Sequence, residues 1–404
     1  MSSEQDPSTS VSNVTTDPQE APAPQKKFER EKHIQYFKRT LSMLPEPYSS
    51  MDTHRMTLGM FALGGLELLG VLEECVSETD RQAWIEWIYS QQRVPASSND
   101  NEPSSENDAL YGFAGSFSGI PFQERSPHLN VYDTAHVTMT YTALLMLVLL
   151  GDDLSRVAKE PITRSLRKLQ QPSGCFIPCL TDYEPDLRFT YCAAAISHIL
   201  NDWSGFDKQA ALRFIQDCQT YEHGFSQGPR QEAHGGTTYC AISTLGLLGG
   251  EALQDQSIMT QNIQSGEDKA TFEQRKSRAG FLDKEGTRKW CLQRQTTGFQ
   301  GRVNKPTDTC YSFWIGGSLA ILGSMDLVNF EYNRGYLLET QHKTFGGFGK
   351  WADTFPDVLH TYMGIAGFSL MREPGIRPLD PLLNISKRMQ ERLYTQSVFW
   401  KDSH

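Results

Sequence analysis

The sequence lacks the features that mark membrane, secreted and nucleic-acid-binding proteins. It has no apolar run of the roughly eighteen residues that a membrane-spanning helix needs. Its start lacks the charged-then-apolar pattern of a secretory signal. Acidic residues outnumber basic ones by 48 to 38, which gives a formal net charge of −10. Because nucleic acid attracts basic surfaces, we expect no nucleic-acid partner, and any anion site must concentrate its cations locally.

Disulfide and strand signals are equally scarce. The eight cysteines form neither a CxxC motif nor the dense spacing of a disulfide-rich domain. Without a secretory signal, reduced thiols are expected, which predicts a cytoplasmic protein. Alternating runs of Val and Ile are hard to find, and loops marked by Gly and Pro separate apolar helical segments instead. The sequence therefore predicts an all-α protein.

The composition changes twice along the chain. Residues 1–26 are rich in Ser, Thr, Pro and Gln and have almost no large apolar side chains. Such a segment cannot bury enough surface to order itself, so we predict a disordered tail. Residues 27–404 have the pattern of one helical domain, and a polar stretch at about 254–280 has the composition of a loop insertion.

What the chain does contain is an internal repeat. Five similar segments recur, namely VYDTAHVTMTYTALLML, EPDLRFTYCAAAISHIL, EAHGGTTYCAISTLGLL, PTDTCYSFWIGGSLAIL and FPDVLHTYMGIAGFSLM. They align on Asp133, Asp186, His234, Asp308 and Asp357. A phenylalanine precedes the last four of these positions, namely Phe176, Phe225, Phe299 and Phe348. Each unit thus has the pattern of a helix, a turn, an Asp or His and an apolar helix.

Such helix pairs cannot bury their apolar faces alone and must stack on their neighbours. The stack can remain an open solenoid or close into an α/α barrel. The second helix of each unit is apolar on all sides, which favours closure because every side must then be covered. The aligned Asp or His begins this helix, where an aspartate commonly acts as an N-cap. That role accounts for Asp133 and Asp186.

Two neighbouring repeats place a carboxylate, a thiol and an imidazole at equivalent ends. Asp308 and Cys310 lie in one unit, and His360 lies in the next. Zinc accepts all three donor types, and a catalytic zinc keeps three protein ligands and an open fourth position. The alternative is plain packing, since a buried cysteine is usually a small apolar side chain.

Cationic and aromatic side chains share the same part of the repeats. His234, Arg302 and Lys305, with the Tyr311 hydroxyl, suit a diphosphate at helix N-termini, although a solvated charged loop has the same composition. An apolar funnel inside the barrel has aromatic candidates, which alternatively form ordinary core: Phe61, Phe189, Tyr191 and Trp314.

Several longer stretches carry a family resemblance. They are LPEPYSSMDTHRMTLGMFAL, YDTAHVTMTYTALLMLVLLGDDLSRV, EAHGGTTYC, GRVNKPTDTCYSFW and FGGFGKWADTFPDVLHTY. Over about residues 28–400 the chain resembles the beta subunits of CaaX protein prenyltransferases, and within them the geranylgeranyltransferases of type I. The resemblance implies a toroid of six helix pairs, a prenyltransferase alpha subunit as heterodimer partner, and one zinc ion per beta subunit. The implied acceptors are CaaX proteins such as Rho-family small GTPases.

The resemblance also implies roles for particular residues. Asp308, Cys310 and His360 match the family's zinc ligands, which activate the acceptor cysteine. The positions that match its diphosphate and isoprenoid sites are His234, Gly236, Arg302, Lys305, Tyr311, Thr57, Phe61 and Trp314. Arg188 and Trp314 match contacts near the peptide. The pocket for the last CaaX residue, preferably Leu or Phe, is matched by Thr57, His136, Thr138, Phe189 and Leu359.

Three positions, Thr57, Leu359 and Lys350, bear on the choice of lipid and on the metal requirement. The family's farnesyltransferases have Trp where this chain has Thr57 and Tyr where it has Leu359, so both positions indicate the longer donor, geranylgeranyl diphosphate. Lys350 replaces an acidic magnesium ligand, so we predict that Mg2+ is not required. The rival functions are a farnesyltransferase, a Rab-specific prenyltransferase, a terpene cyclase and a non-enzymatic helical-repeat binding module. The chain has no DxDD motif of a cyclase.

Overall fold

The computed structural model describes residues 27–95, 110–116, 134–181, 183–249 and 282–401. The predicted tail at 1–26 and the predicted insertion at 254–280 lie outside these residues, so the proposed domain limits stay a prediction. All eight cysteines lie within them and are free thiols. A membrane-spanning segment would need a longer apolar helix than any that the described residues form.

Helices make up nearly all the regular structure in the described residues. They are α1 (Arg30–Ser42), α2 (Arg55–Leu68), α3 (Leu72–Cys75), α4 (Glu78–Ser90), α5 (Val137–Leu150), α6 (Lys159–Leu169), α7 (Leu187–Ile199), α8 (Lys208–Cys218), α9 (Gly235–Leu247), α10 (Lys284–Leu292), α11 (Tyr311–Ile321), α12 (Phe330–Thr340), α13 (Val358–Leu370) and α14 (Lys387–Gln396). Short 3-10 segments span Glu46–His54 and Met325–Leu327. Two antiparallel pairs complete the structure, β1 (Gln92–Arg93) with β2 (Gly112–Phe113) and β3 (Leu379–Asp380) with β4 (Ile385–Ser386).

Six inner helices form a closed ring. In the order α2, α5, α7, α9, α11 and α13, each packs against the next, and α13 returns to pack against α2. An outer helix precedes each inner one along the chain, so the prediction of an all-α barrel of six helix pairs is confirmed and the open solenoid is wrong. The cause is visible in α5, where every residue except Thr138 is buried. A helix that is apolar on all sides gains most when neighbours cover every side.

Each inner helix after α2 begins at a polar side chain that accepts a backbone N–H two or three residues ahead. The accepting side chains are those of His136, Asp186, His234, Asp308 and Asp357. These bonds satisfy N–H groups that the helix itself leaves without partners. The predicted cap Asp133 is therefore wrong, since His136 caps α5 and Asp133 lies outside the described residues.

A buried threonine holds the turn that precedes the inner helix in three repeats. The N–H groups of Phe113, Phe225 and Phe348 donate to the Oγ1 atoms of Thr140, Thr238 and Thr361, at 2.9, 2.9 and 3.0 Å. This bond shows that Phe113 and His136 belong to the first of the five units. The repeat thus fixes where each helix starts and, with it, where its capping side chain lies.

The end of the barrel at which the inner helices finish, here called the floor, is closed by residues 379–386. Tyrosine hydroxyls from four inner helices donate to backbone carbonyls of this segment, namely Tyr141 to Leu383, Tyr191 to Leu382, Tyr239 to Pro381 and Tyr362 to Asn384. Glu67, fully buried on α2, accepts from Arg377 at 2.5 Å and from Arg388 at 3.1 Å. The floor is therefore a buried layer held by hydrogen bonds from four inner helices and by the ion pairs of Glu67.

The opposite end, here called the rim, is open. Every inner helix has a half-buried residue in its first turn, whereas the middle of each helix is buried. These residues are Thr57, Thr138, Phe189, Gly236, Tyr311 and Leu359. Solvent therefore reaches the first turn of each inner helix at this end, where the sequence predicts the site.

Candidate active site

Asp308, Cys310 and His360, here called the donor cluster, come together at the rim. One potential ligand atom of each lies within 4.8 Å of those of the other two. Asp308 Oδ1 is 3.2 Å from His360 Nε2. Asp308 and Cys310 are buried and His360 is half-buried. The two repeats therefore bring these side chains together as predicted, although Cys310 and His360 are far apart in the sequence.

Local hydrogen bonds fix the orientation of each donor. The Cys310 N–H donates to Asp308 Oδ1 at 3.0 Å, which holds that carboxylate at the start of α11. Asp357 accepts from the His360 backbone N–H at 2.9 Å and lies 2.6 Å from His360 Nδ1. With Nδ1 held by a carboxylate, Nε2 is the ring nitrogen directed towards the cluster. Such an outer partner is typical of histidines that bind metal.

Without a cation, the cluster favours the protonated forms of the Cys310 thiol and the His360 imidazole. Burial, together with the nearby Asp308 charge, raises the pKa of the Cys310 thiol well above its usual value. Burial opposes protonation of His360, but Asp308 and Asp357 outweigh it and raise its pKa to about 9. A divalent cation reverses both preferences, because metal ligands bind deprotonated. A buried O, S and N donor set of this compactness fits zinc.

One cationic side chain lies beside the cluster, and two others lie in the turn that precedes α11. Lys350 is exposed, and its Nζ lies 3.8 Å from Asp308 Oδ2. Arg302 is half-buried and pairs with Glu232 at 3.0 Å, while Lys305 in the same turn is exposed. Lys350 thus supplies a positive charge beside the donor cluster, in a chain whose net charge is −10. The anion site built from all three cations stays a prediction.

His234 differs in charge from the sequence expectation. Burial, with the nearby charges of Arg302 and Arg188, lowers the pKa of His234 to about 4, so the ring is neutral at neutral pH. Its Nδ1 accepts the Gly236 N–H at 3.0 Å, which leaves the proton on Nε2. Nε2 lies 3.0 Å from the Tyr311 hydroxyl and donates to its oxygen. The Tyr311 O–H is then available to donate to another oxygen.

A glycine makes the position of Tyr311 possible. A Cβ atom on Gly301 would lie 1.9 Å from Cζ of the tyrosine ring. No side chain fits in that space, so the turn that carries Arg302 approaches the ring closely. Close backbone approach of this kind is a common reason for glycine at a site.

The predicted lipid and peptide residues lie on the inner helices, most of them in the first turn. Thr57 Oγ1 on α2 contacts Met139 Sδ at 3.6 Å, and Thr138 Oγ1 on α5 contacts Cys192 Sγ at 3.7 Å. The remaining ring contacts are Phe61 with Tyr362, His136 with Phe189 and Trp314 with Tyr239, with centroids 5.4, 6.0 and 5.1 Å apart. Thr57, Thr138 and Phe189 thus lie at the rim, whereas Phe61 and Trp314 contact tyrosines whose hydroxyls reach the floor.

Three further predicted residues differ in how far they are exposed to solvent. Arg188 is exposed and forms an ion pair with the buried Asp186, which caps the same helix. Tyr191, proposed as a funnel residue, is buried with its hydroxyl bonded to the floor. Leu359 is half-buried directly before His360.

Sequence reasoning missed three residues that shape the site. Asp357 was assigned only an alignment position, although its spacing of three residues from His360 on a helix indicates a contact. Glu232 pairs with Arg302 and has no sequence signal. Thr309 lies between two members of the donor cluster and is fully buried.

Comparisons with known proteins agree with this geometry. The family described as prenyltransferase alpha-alpha toroid domain matches residues 28–385. The geranylgeranyl transferase type-1 beta subunit of Arabidopsis thaliana is 37% identical over 366 residues, which cover 90% of this chain and 90% of the relative. That of Dictyostelium discoideum is 38% identical over 367 residues, covering 89% and 95%.

More distant matches lead to the same group. The protein farnesyltransferase beta subunit of Schizosaccharomyces pombe is 28% identical over 362 residues, covering 85% of this chain and 78% of the relative. A solved structure of Candida albicans protein geranylgeranyltransferase-I complexed with GGPP superposes with a TM-score of 0.73 at 25% identity, covering 91% and 98% of the two chains. The chain therefore belongs to the prenyltransferase alpha-alpha toroid family, among the beta subunits of type I protein geranylgeranyltransferases.

Proposed function

We propose that this chain is the catalytic beta subunit of an enzyme that transfers geranylgeranyl from geranylgeranyl diphosphate to a C-terminal CaaX cysteine. The observation that carries the proposal is the donor cluster beside Lys350 at the rim of an apolar barrel. A helical-repeat binding module has no need of a buried carboxylate, thiol and imidazole at one point. The proposed enzyme acts in the cytoplasm, as a heterodimer with a prenyltransferase alpha subunit.

The donor cluster would hold the zinc ion through Asp308, Cys310 and His360. When bound, zinc accepts the acceptor cysteine's sulfur and favours its thiolate near neutral pH. Asp357 orients His360, and the Asp308 carboxylate is fixed by the Cys310 N–H. These residues determine where the nucleophile stands before the reaction begins.

The cationic residues act on the leaving group. The acceptor sulfur forms a bond to C1 of the lipid, the C1–O bond breaks, and diphosphate departs with the bonding electrons. Negative charge grows on the diphosphate as this occurs, so Arg302, Lys305 and Lys350 stabilise the transition state more than the ground state. Because the Tyr311 oxygen accepts from His234 Nε2, the Tyr311 O–H is available to donate to the diphosphate as a neutral group.

The lipid and peptide preferences follow from small side chains at the rim. Thr57 and Leu359 take less space than Trp and Tyr, which leaves room for a fourth isoprene unit. Phe61 and Trp314 supply apolar contact, and His136, Thr138, Phe189 and Arg188 lie around the proposed peptide end. Identity of 37% and 38% to type-1 geranylgeranyl transferase subunits, against 28% to a farnesyltransferase subunit, supports the longer donor.

A competition assay tests the donor and the acceptor together. The chain is co-expressed with a prenyltransferase alpha subunit and offered equal farnesyl and geranylgeranyl diphosphate with peptides ending CVLL or CVLS. We expect preferential geranylgeranylation of the Leu-ending peptide. Preferential farnesylation of the Ser-ending peptide would assign the chain to the farnesyltransferases instead.

We further propose that Lys350 replaces magnesium at the diphosphate. With zinc saturating, turnover should be unchanged when magnesium is omitted, and Lys350→Asp should make turnover depend on added magnesium. Lys343→Asp, an exposed lysine in the same loop, is the charge-matched control. A wild-type enzyme that stops without magnesium contradicts the proposal.

A further inference from the structure

Thr309 lies between Asp308 and Cys310 but faces away from the donor cluster. Its side chain is fully buried. The hydroxyl donates to the Gly349 carbonyl at 2.7 Å and lies 3.0 Å from Thr340 Oγ1. Its backbone N–H donates to the Lys350 carbonyl at 3.0 Å. One residue of the donor segment is thus bonded to two consecutive carbonyls of the Lys350 segment.

The backbone is where Lys350 is held. Its side chain is exposed, and the 3.8 Å separation from Asp308 is long for an ion pair. The Lys350 carbonyl, in contrast, accepts from the Thr309 N–H and lies 3.3 Å from the Tyr336 hydroxyl. The Gly349 N–H donates to the Thr340 carbonyl at 3.0 Å. The position of the lysine relative to Asp308 therefore depends on this buried contact.

We propose that Thr309 is a positioning residue that couples the donor cluster of one repeat to the cation of the next. The inference deepens the proposed function and rests on it, because Lys350 matters only if a diphosphate leaves beside it. The donor segment places the nucleophile, and the Thr309 contacts place Lys350 at a fixed distance from it. Nucleophile and leaving group are held in one geometry by a residue that touches neither.

Removing the hydroxyl should release the Lys350 segment while leaving the donors in place. In Thr309→Val the shape is kept, but the buried Gly349 carbonyl loses its donor, and the segment gains reason to move. A displacement of about 1 Å between reacting groups lowers rates by about a hundredfold. We expect kcat to fall about tenfold to a hundredfold, with KM for the peptide little changed. Thr309→Ser keeps the hydroxyl and should restore most of kcat.

Hydrogen exchange tests the contact without using activity. In the co-purified complex, amide exchange in residues 345–352 should accelerate in Thr309→Val but not in Thr309→Ser. Thr287→Val is the matched control, since Thr287 is also fully buried and donates to the His223 carbonyl at 2.7 Å, in a different repeat. Unchanged exchange at 345–352, or equal acceleration in both Val variants, would overturn the inference. Thr309→Ala supplies the same test if Thr309→Val does not fold.

A double-mutant cycle on kcat tests the coupling itself. Lys350→Ala should lower kcat strongly in the wild type and in Thr309→Ser, but add little to Thr309→Val, because the lysine is already displaced. In Thr287→Val, Lys350→Ala should keep its full effect. Additive losses for Thr309→Val and Lys350→Ala contradict the coupling. A wild-type complex without transferase activity sinks the proposed function, whereas the exchange experiment then still decides the contact.

Discussion

The two ends of the barrel solve the same problem of polar groups in opposite ways. At the floor, four tyrosine hydroxyls and four backbone carbonyls satisfy one another and carry no charge, and burial raises the pKa of Tyr141, Tyr191 and Tyr239 well above the usual value. At the rim, charged groups lie close together, and the Asp308 carboxylate is shared by the Cys310 N–H, His360 and Lys350. Each inner helix contributes to both ends, so helix sequence alone does not separate them.

The comparison shows where stability and function are located in this fold. Completed hydrogen bonds in a buried layer favour one packing, which suits the floor. Charged groups gathered at one point can bind a cation and an anion, which suits the rim. Changes at the floor should therefore lower stability and leave the transfer chemistry intact. Changes at the rim should slow the transfer and leave stability nearly unchanged.

The largest expected effect is at the rim, where Cys310→Ala removes one donor. Losing several kcal/mol of metal-based stabilisation corresponds to a fall in kcat of about a thousandfold or more. The variant should also lose zinc in the purified heterodimer, while its melting temperature changes little beyond the effect of lost metal. Metal analysis by mass spectrometry and single-turnover prenylation measure the two quantities.

Cys291→Ala is the control for this variant. Cys291 is fully buried, and burial raises the pKa of its thiol to about 12, so it is a packing cysteine. It should keep zinc and turnover. Equal zinc loss in both variants would show that disturbed packing, and not the removal of a donor, releases the metal.

The next largest effect is expected at the floor. Glu67→Ala leaves Arg377 and Arg388 without their shared buried carboxylate, which should lower the free energy of unfolding by about 3 kcal/mol. Zinc content and kcat of the folded heterodimer should stay at wild-type values. Denaturant unfolding measures the first and the transfer assay the second. Glu86→Ala, which breaks the exposed pair with Arg156, should leave both unchanged, and a loss of zinc in Glu67→Ala would erase the contrast between the ends.

The barrel and the donor cluster could be predicted because their signals are local or repeated. Apolar periodicity marks the inner helices, and equivalent positions of a repeat must meet when the ring closes. The sequence predicts Asp133 as the cap of α5, whereas His136 is the cap, because the segment DTAH offers both candidates. His136 is the residue held in place, because its N–H donates to the carbonyl of Phe113, which is distant in the sequence.

Other features had no signal of this kind. The floor segment is recognised through its backbone carbonyls, which carry no residue identity. The charge of His234 depends on burial beneath neighbouring repeats, so residue type suggested a cation where the structure has a neutral ring. Thr309 acts through contacts with Gly349 and Lys350 that exist only in the folded ring.

A smaller effect is expected when one floor hydroxyl is deleted. Tyr191→Phe removes contacts with Tyr141 and Tyr239 at 3.0 and 3.2 Å and with the Leu382 carbonyl at 3.0 Å. The free energy of unfolding should fall by about 1–3 kcal/mol, because buried partners lose a donor. Tyr311→Phe at the rim is the matched change. It should leave stability nearly unchanged and slow transfer, and the opposite assignment of effects would contradict the comparison.

The effect that is smallest at neutral pH, because it develops only in acid, concerns histidines near both ends. Burial lowers the pKa of His198, near the floor, and of His234, at the rim, to about 4. Between about pH 6.5 and pH 4 the unfolded chain binds protons that the folded chain does not. The stabilisation is therefore complete above pH 6.5 and is lost as pH falls towards 4, by at most about 1.4 kcal/mol per pH unit for each histidine.

Replacing either histidine should reduce this acid slope, so denaturant unfolding of His198→Gln and His234→Gln is measured at several pH values from 4.5 to 7.5. His33 on α1, whose pKa burial also lowers to about 4, keeps a residual slope in both variants. At pH 7.5 the rim variant should slow transfer and the floor variant should not. A wild-type slope in His198→Gln would contradict the lowered pKa assigned to this buried ring.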